Sequence, residues 1–296
     1  MRPFSRSLRW SMSRSIPDDH VAADPDSSQV LGRELAAWFA TPPGQYLLEW
    51  EQARFDEAVV DRFGFNALQL GLPELDALRA NRMPHRWLAV PEDLVISKDA
   101  ARVALISHAA ALPFPEKSLD LVVLPHTLEL SADPHAVLRE AERVLVPEGR
   151  LVVCGLNPVS LWGLRQYRSH AMAHLGLGGT RLARRFLPEA GEFIGPWRLK
   201  DWLKLLSFDV QSCHFGCYRP AVRSDKWLQR WGWIDQVGSR SWPILGAVYF
   251  LEAAKRVKGM HLLGPAWKPR RSSVAPVAVV QRPSLKDSGL QRRAIR

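Results

Sequence analysis

Residues 108–158 read HAAALPFPEKSLDLVVLPHTLELSADPHAVLREAERVLVPEGRLVVCGLNP. Two apolar runs bracket the stretch, Leu119–Leu124, with Asp120 at its start, and Leu151–Cys154. Between them, Asp133–Leu145 places Val137, Leu138, Ala141, Val144 and Leu145 on one helical stripe. Asp133 suits the N-cap and Pro134 the first turn. Pro147-Glu148-Gly149 reads as a turn. A helix between two strands whose runs are apolar apart from the opening Asp120 predicts parallel pairing, with the sheet covered on both faces.

The alternation continues outward. Phe65–Leu70 reads as a first strand, Pro73–Arg82 as a short helix, Arg86–Val90 as a second strand and Arg102–Ile106 as a third. Downstream, Trp197–Leu206 is amphipathic, and Phe208–Cys217 and Leu245–Ala253 are strand-like runs that would pair antiparallel at an edge. Residues 157–196 interrupt the pattern as an insertion. Residues 29–62 read as two amphipathic helices broken at Thr41-Pro42-Pro43-Gly44, with Leu47, Leu48, Phe55 and Val59 recurring at helical intervals. The expected organisation is a basic tail over 1–28, a helical extension over 29–62, an α/β domain over 63–256 and a second basic tail over 268–296.

The chain has 296 residues, 47% of them hydrophobic, enough for a sizeable core. No stretch reaches 18 uncharged apolar residues, so no membrane span is expected. The basic N-terminus lacks a continuous apolar segment and does not read as a secretion signal. Three cysteines, Cys154, Cys213 and Cys217, are too few for a disulfide framework, which points to a reducing cytoplasm. The net charge is +10, but residues 1–16 carry +4 and residues 268–296 carry +7, which leaves the middle at −1. The tails read as solvated ends, with nucleic-acid contact through them as the alternative. The number of copies in the working assembly is not legible.

The matching pieces Leu112-Pro113-Phe114, Ser118-Leu119-Asp120, Leu128-Glu129, Asp133-Pro134, Leu138-Arg139-Glu140, Arg143-Val144-Leu145 and Pro147-Glu148-Gly149-Arg150 occur in order. In them the chain resembles class I S-adenosylmethionine-dependent methyltransferases of the type-11 kind. FGFNALQLGLP, NRMPHRW and NPVSLWGLR resemble a bacterial methyltransferase-like group within it. The resemblance implies a Rossmann-like α/β fold: seven strands, mostly parallel, helices on both faces and an antiparallel strand at the edge. It also implies S-adenosylmethionine at the carboxyl ends of the first, second and fourth strands, consistent with where ligands bind on open α/β sheets.

Carried over residue by residue, the resemblance puts Gln69 where the family has an acid, two positions before Gly71. Leu72 and Pro73 follow in the turn, and Pro73 and Leu75 stand where later glycines would. Gln69 brings no charge to the cofactor's amino group, and Gly71 permits close backbone approach. Glu92 is the nearest candidate for the ribose hydroxyls, His108 stands in the place of an adenine-binding aspartate beside Leu112, and Pro125 and His126 end the fourth strand toward the cleft. His126 is a candidate pocket residue and a weaker candidate base. Asn157 would cap the insertion helix. Cys213, His214 and Cys217 have the wrong spacing for zinc, so no metal is expected. Trp227, Trp231, Trp233 and Trp242 would pack in a core or form a lid, base stacking being the lesser reading. The expected function is methyl transfer to a small molecule. The alternatives are a non-catalytic binding or scaffold protein on the same fold and a nucleic-acid methyltransferase.

Overall fold

The structure is a computed structural model that describes residues 34–91, 102–174, 186–187 and 193–256, all within one unit, Met1–Lys258. Both basic tails, Glu92 and most of the middle of the insertion lie outside the described residues. Seven strands form one sheet: β1 (Asn66–Leu70), β2 (His85–Val90), β3 (Leu105–Ile106), β4 (Leu119–Pro125), β5 (Leu145–Leu156), β6 (Phe208–Gly216) and β7 (Val248–Lys255). Their order is β3-β2-β1-β4-β5-β7-β6. The pairs from β3 through β5 are parallel, whereas β7 runs antiparallel to both β5 and β6. The antiparallel strand therefore lies one place in from the edge, which β6 forms. The strand order reverses between β1 and β4, which sets a crevice at their carboxyl ends.

Asp120 explains the aspartate at the opening of β4. Its Oδ2 accepts from the Phe65 and Asn66 amides at 2.8 and 3.0 Å, fixing the start of β1. The expected turn at Pro147–Gly149 lies inside β5 as a bulge. Leu119 pairs with Leu145 and Leu121 with Arg150, so the intervening residues loop out, with Glu148 at φ 64°.

The two faces of the sheet are covered differently. On one, α4 (Pro134–Val144) and α6 (Pro196–Leu205) pack Val137, Leu138, Ala141, Leu199 and Leu203 against Leu68, Val122, Leu124, Val153 and Leu251. Asp133 caps α4 as expected, accepting from the Ala136 amide at 2.9 Å. On the other face lie α1 (residues 34–39), α2 (Pro42–Val60) and Trp162 of α5 (Leu161–His174). Thr41 is extended and Pro42 opens α2, so the break falls where the sequence placed it. The Asn157 side chain accepts from the Val159 amide at 3.1 Å, ahead of α5.

The helix expected over Pro73–Arg82 is not there. Residues 71–84 form a chain of turns, closed by bonds from Leu75 N to Leu72 O, Arg79 N to Asp76 O and Asn81 N to Leu78 O. Pro73 and the short span to β2 disfavour a continuous helical ladder. The β1–β2 connection thus supplies no helix, and α2 covers that face instead. Phe55 is fully buried, its ring edge-on to Phe250 of β7 at 4.8 Å between centroids. The third strand is also shorter than expected, reduced to Leu105–Ile106.

Because Phe55 joins α2 to the sheet, Phe55→Ala should cost about 3–5 kcal/mol of unfolding free energy. Urea melts check this: the midpoint should fall with the slope unchanged, and a loss below about 1 kcal/mol would show that α2 is not part of the cooperative core.

Candidate functional site

At the crevice, three successive features leave ordinary backbone geometry. Gly71 has φ 75°, Leu72 has φ 42° and His126, directly after β4, has φ 53°. Left-handed backbone is unusual for leucine and histidine, and such residues concentrate at functional sites. The Gly71 amide donates to Ala89 O at 2.8 Å, tying the turn to β2. A Cβ on Gly71 would sit 3.4 Å from Thr127 Oγ1. The glycine is needed for its φ more than for clearance. Thr127 in turn donates to Leu70 O at 2.5 Å, so the ends of β1 and β4 are bonded together.

Gln69 is buried and wholly committed to the turn. Its Nε2 lies 3.3, 3.0 and 2.8 Å from the carbonyl oxygens of Gly71, Leu72 and Leu75, and its Oε1 accepts from Ala77 N at 3.0 Å. An amide can both donate and accept, and only such a side chain serves this set. The loop is held in shape by Gln69, not by further glycines.

His126 is 1% exposed and uses both ring nitrogens. Nε2 is 2.8 Å from Glu51 Oε1, and Nδ1 is 2.8 Å from Glu129 Oε2. Burial alone would lower the ring's pKa, but the two carboxylates and their hydrogen bonds outweigh it and raise it to about 10. Burial also raises the Glu129 carboxyl, offset in part by the ring and by the Leu156 amide that donates to Oε1. With a carboxylate oxygen at each nitrogen, the geometry supports an imidazolium near neutral pH. Such a ring donates twice and holds no free lone pair, so His126 is a positioning group and not a base. The Cys154 thiol donates to Glu51 Oε1 at 3.3 Å, and burial pushes its pKa well up, which keeps it neutral. Glu51 Oε2 is the buried side-chain oxygen without a partner among the described residues.

The other expected site residues are dispersed. Leu72 and Pro73 are buried in the turn, and Pro125 is buried at the end of β4. Leu112 packs under α4, and its amide donates to Glu140 at 2.8 Å. His108 is exposed, with Nδ1 3.4 Å from the Ala110 amide in its own loop. Glu92 lies outside the described residues.

Sequence reasoning passed over Glu51, although a signal was present. Leu47, Phe55 and Val59 mark a stripe at four-residue spacing, and position 51 of that stripe is an acid. The tryptophans fit one of the two expectations less well than the other. Trp227, Trp233 and Trp242 are each more than half exposed, on and after α7 (Asp225–Arg230) and α8 (Trp233–Ser241), so they are not core.

Residues 90–153 match the family model described as a methyltransferase domain. The match supports the resemblance to class I S-adenosylmethionine-dependent methyltransferases of the type-11 kind. The family's cofactor is S-adenosylmethionine. A protein of Escherichia coli, YafS, is 31% identical over 58% of this chain and 65% of its own length. The demethylmenaquinone methyltransferase of Thermus thermophilus is 36% identical over 38% of this chain and 58% of its own. The chain thus spans less than two thirds of the length of these relatives. A SAM-dependent methyltransferase from Thermotoga maritima shares the fold, with a TM-score of 0.52 at 16% identity, covering 77% of this chain and 97% of that one.

The rim suits the cofactor in two observed respects: a left-handed glycine turn at the strand switch, and a buried carboxyl oxygen, Glu51 Oε2, without a donor among the described residues in the His126 cluster. Gln69→Glu would bring the residue closer to the family pattern, yet would point a carboxylate at the carbonyl oxygens of Gly71, Leu72 and Leu75. It should destabilise the fold by about 1–3 kcal/mol in denaturant melts at neutral pH. No loss would mean that the turn does not depend on that amide.

The folded pKa of His126, about 10, lies above the ordinary 6.5. Its contribution to stability is full below pH 6.5 and is lost as pH rises through about 10. Denaturant melts across that window should show the decline, and His126→Gln should lack it.

Proposed function

We propose that the protein is an active methyltransferase that passes a methyl group from S-adenosylmethionine to a small-molecule acceptor. The observation that carries this is the left-handed backbone at Gly71, Leu72 and His126, gathered where the strand order reverses. Lys117, Glu148, Ser207 and Cys217 adopt the same backbone singly elsewhere, whereas here three such residues meet at one strand switch.

When bound, the cofactor supplies an electrophilic methyl group on a cationic sulfur. The chain's own residues then have few tasks. Gly71 lets the backbone approach the ligand without a side chain. Gln69 holds the turn open in that shape. Pro125 and His126 form the floor at the end of β4, with the ring locked by two carboxylates. Methyl transfer needs in-line placement above all and does not call for a catalytic dyad. His126, protonated on both nitrogens, orients Glu51 and leaves proton removal to the acceptor itself or to solvent.

The similarity to a demethylmenaquinone methyltransferase spans too little of either chain to name the acceptor. Among the described residues no helix is long and apolar enough to cross a membrane.

Calorimetric titration of the full chain with S-adenosylmethionine separates an enzyme from a scaffold. A dissociation constant of about 1 µM to 1 mM, the span of ordinary enzyme–substrate affinities, is expected. The absence of binding heat and of competition at millimolar ligand would leave the scaffold alternative in place. Gly71→Val should abolish the titration while leaving a folded protein, because a β-branched residue strains at φ 75° and occupies the approach space.

A further inference from the structure

We propose that the Glu51 carboxylate, carried on α2, is the binding site for the α-ammonium group of the cofactor's amino-acid tail. This rests on the proposal that the protein binds S-adenosylmethionine.

The geometry of the cluster points to a cationic donor. Glu51 is fully buried, and its Oε1 already takes the His126 ring and the Cys154 thiol. Among the described residues its Oε2 takes nothing. A buried carboxylate oxygen without a donor is costly, so it is rarely left so unless a ligand completes it. The chemistry agrees. Glu51 and Glu129 share a single imidazole between them, which leaves Glu51 Oε2 with no donor among the described residues. An ammonium group brings one positive charge and up to three N–H donors.

The position also agrees. His126 follows Pro125 at the end of β4, and its neighbour Thr127 bonds to Leu70 O and abuts Gly71. Glu51 therefore meets the β1–β4 switch point from the side of α2. The position at the end of β1 cannot serve, since Gln69 is uncharged and its amide is spent on the loop.

A metal ion is the competing occupant. Single ligand atoms of Glu51, His126 and Cys154 lie within 4.8 Å of one another. However, Glu51 Oε1 and His126 Nε2 are hydrogen-bonded to each other at 2.8 Å, and both the ring and the thiol hold their protons. A metal would have to displace two protons, whereas an ammonium ion displaces none. Because Oε2 is sealed from solvent, the amine reaches it only with Glu51 turned or α2 displaced. Ligand binding is thereby coupled to the N-terminal helix.

The test uses the full chain and two ligands, S-adenosylmethionine and 5′-methylthioadenosine, which keeps the nucleoside and sulfur but has no amino-acid tail. Glu51→Gln should weaken S-adenosylmethionine about tenfold or more by calorimetry and leave methylthioadenosine within about twofold. In the unaltered protein, an analogue with hydrogen in place of the amino group should be weaker than S-adenosylmethionine by a similar factor, which keeps the test independent of how the variant folds. Equal affinity of the unaltered protein for the analogue, or unchanged S-adenosylmethionine affinity in the variant, overturns the proposal. So does stoichiometric zinc in the purified protein that is lost in Glu51→Gln. If the unaltered protein binds methylthioadenosine but shows no preference for the amine, only the Glu51 assignment falls. If it binds neither ligand, the methyltransferase reading falls with it.

Discussion

The contact on which the molecule's arrangement turns is the buried chain Glu51–His126–Glu129. Its members come from three places: α2, the residue after β4, and the short helix α3 (Thr127–Leu130) that follows. Removing His126 would leave two carboxylates buried without the group that joins them, and that loss far exceeds what a surface ion pair contributes. Glu129 is further pinned by the Leu156 amide at the end of β5. The cluster thus joins the N-terminal helix to the carboxyl ends of two central strands. Phe39 lies over the imidazole at 5.8 Å between ring centroids and closes the cluster from α1.

This anchoring offsets what the first crossover lacks. A parallel β-strand pair is ordinarily joined through a helix that covers one face of the sheet. Residues 71–84 are turns, and the face above β1 would be thinly covered without α2. Asn81 shows how the two parts are tied: its amide donates to Val59 O at 2.8 Å, and its carbonyl accepts from Met83 N at 2.9 Å. Arg62 reaches across to Glu252 of β7 at 2.8 Å. The helical extension is therefore part of the fold's core layer and not an appendage.

The sheet was legible because its signal is local. Leu121–Leu124 and Leu151–Cys154 are wholly apolar, and Asp133 with Pro134 marks a helix start that the structure repeats. The turn at 71–84 was misread because Leu72, Leu75 and Leu78 fall near helical spacing, while the groups that decide its shape, Gln69 and Pro73, act through bonds that periodicity does not record. The site was half legible. Gly71 and His126 could be placed by their positions at strand ends. Glu51 could not, since its partner is 75 residues away and only the fold brings them to 2.8 Å. Of the two expectations for the tryptophans, exposure at Trp227, Trp233 and Trp242 removes the core one, since spacing identifies an apolar face but not whether anything covers it.

The missing glycines now have a physical account. A turn that must hold left-handed backbone can use residues that adopt it freely, or residues forced into it by surrounding bonds. Here only Gly71 is of the first kind. Leu72 is held at positive φ because its side chain is buried and its carbonyl accepts from Gln69. His126 is held because its amide donates to Cys154 O at 2.9 Å and both ring nitrogens are bonded. Constraint has moved from backbone freedom to side-chain bonding, so the same turn is specified by different residues. A glycine count therefore understates how closely this rim keeps its shape. What distinguishes it chemically is where negative charge sits: a strand-end glutamine carries none, and a helix-borne glutamate has one oxygen to spare.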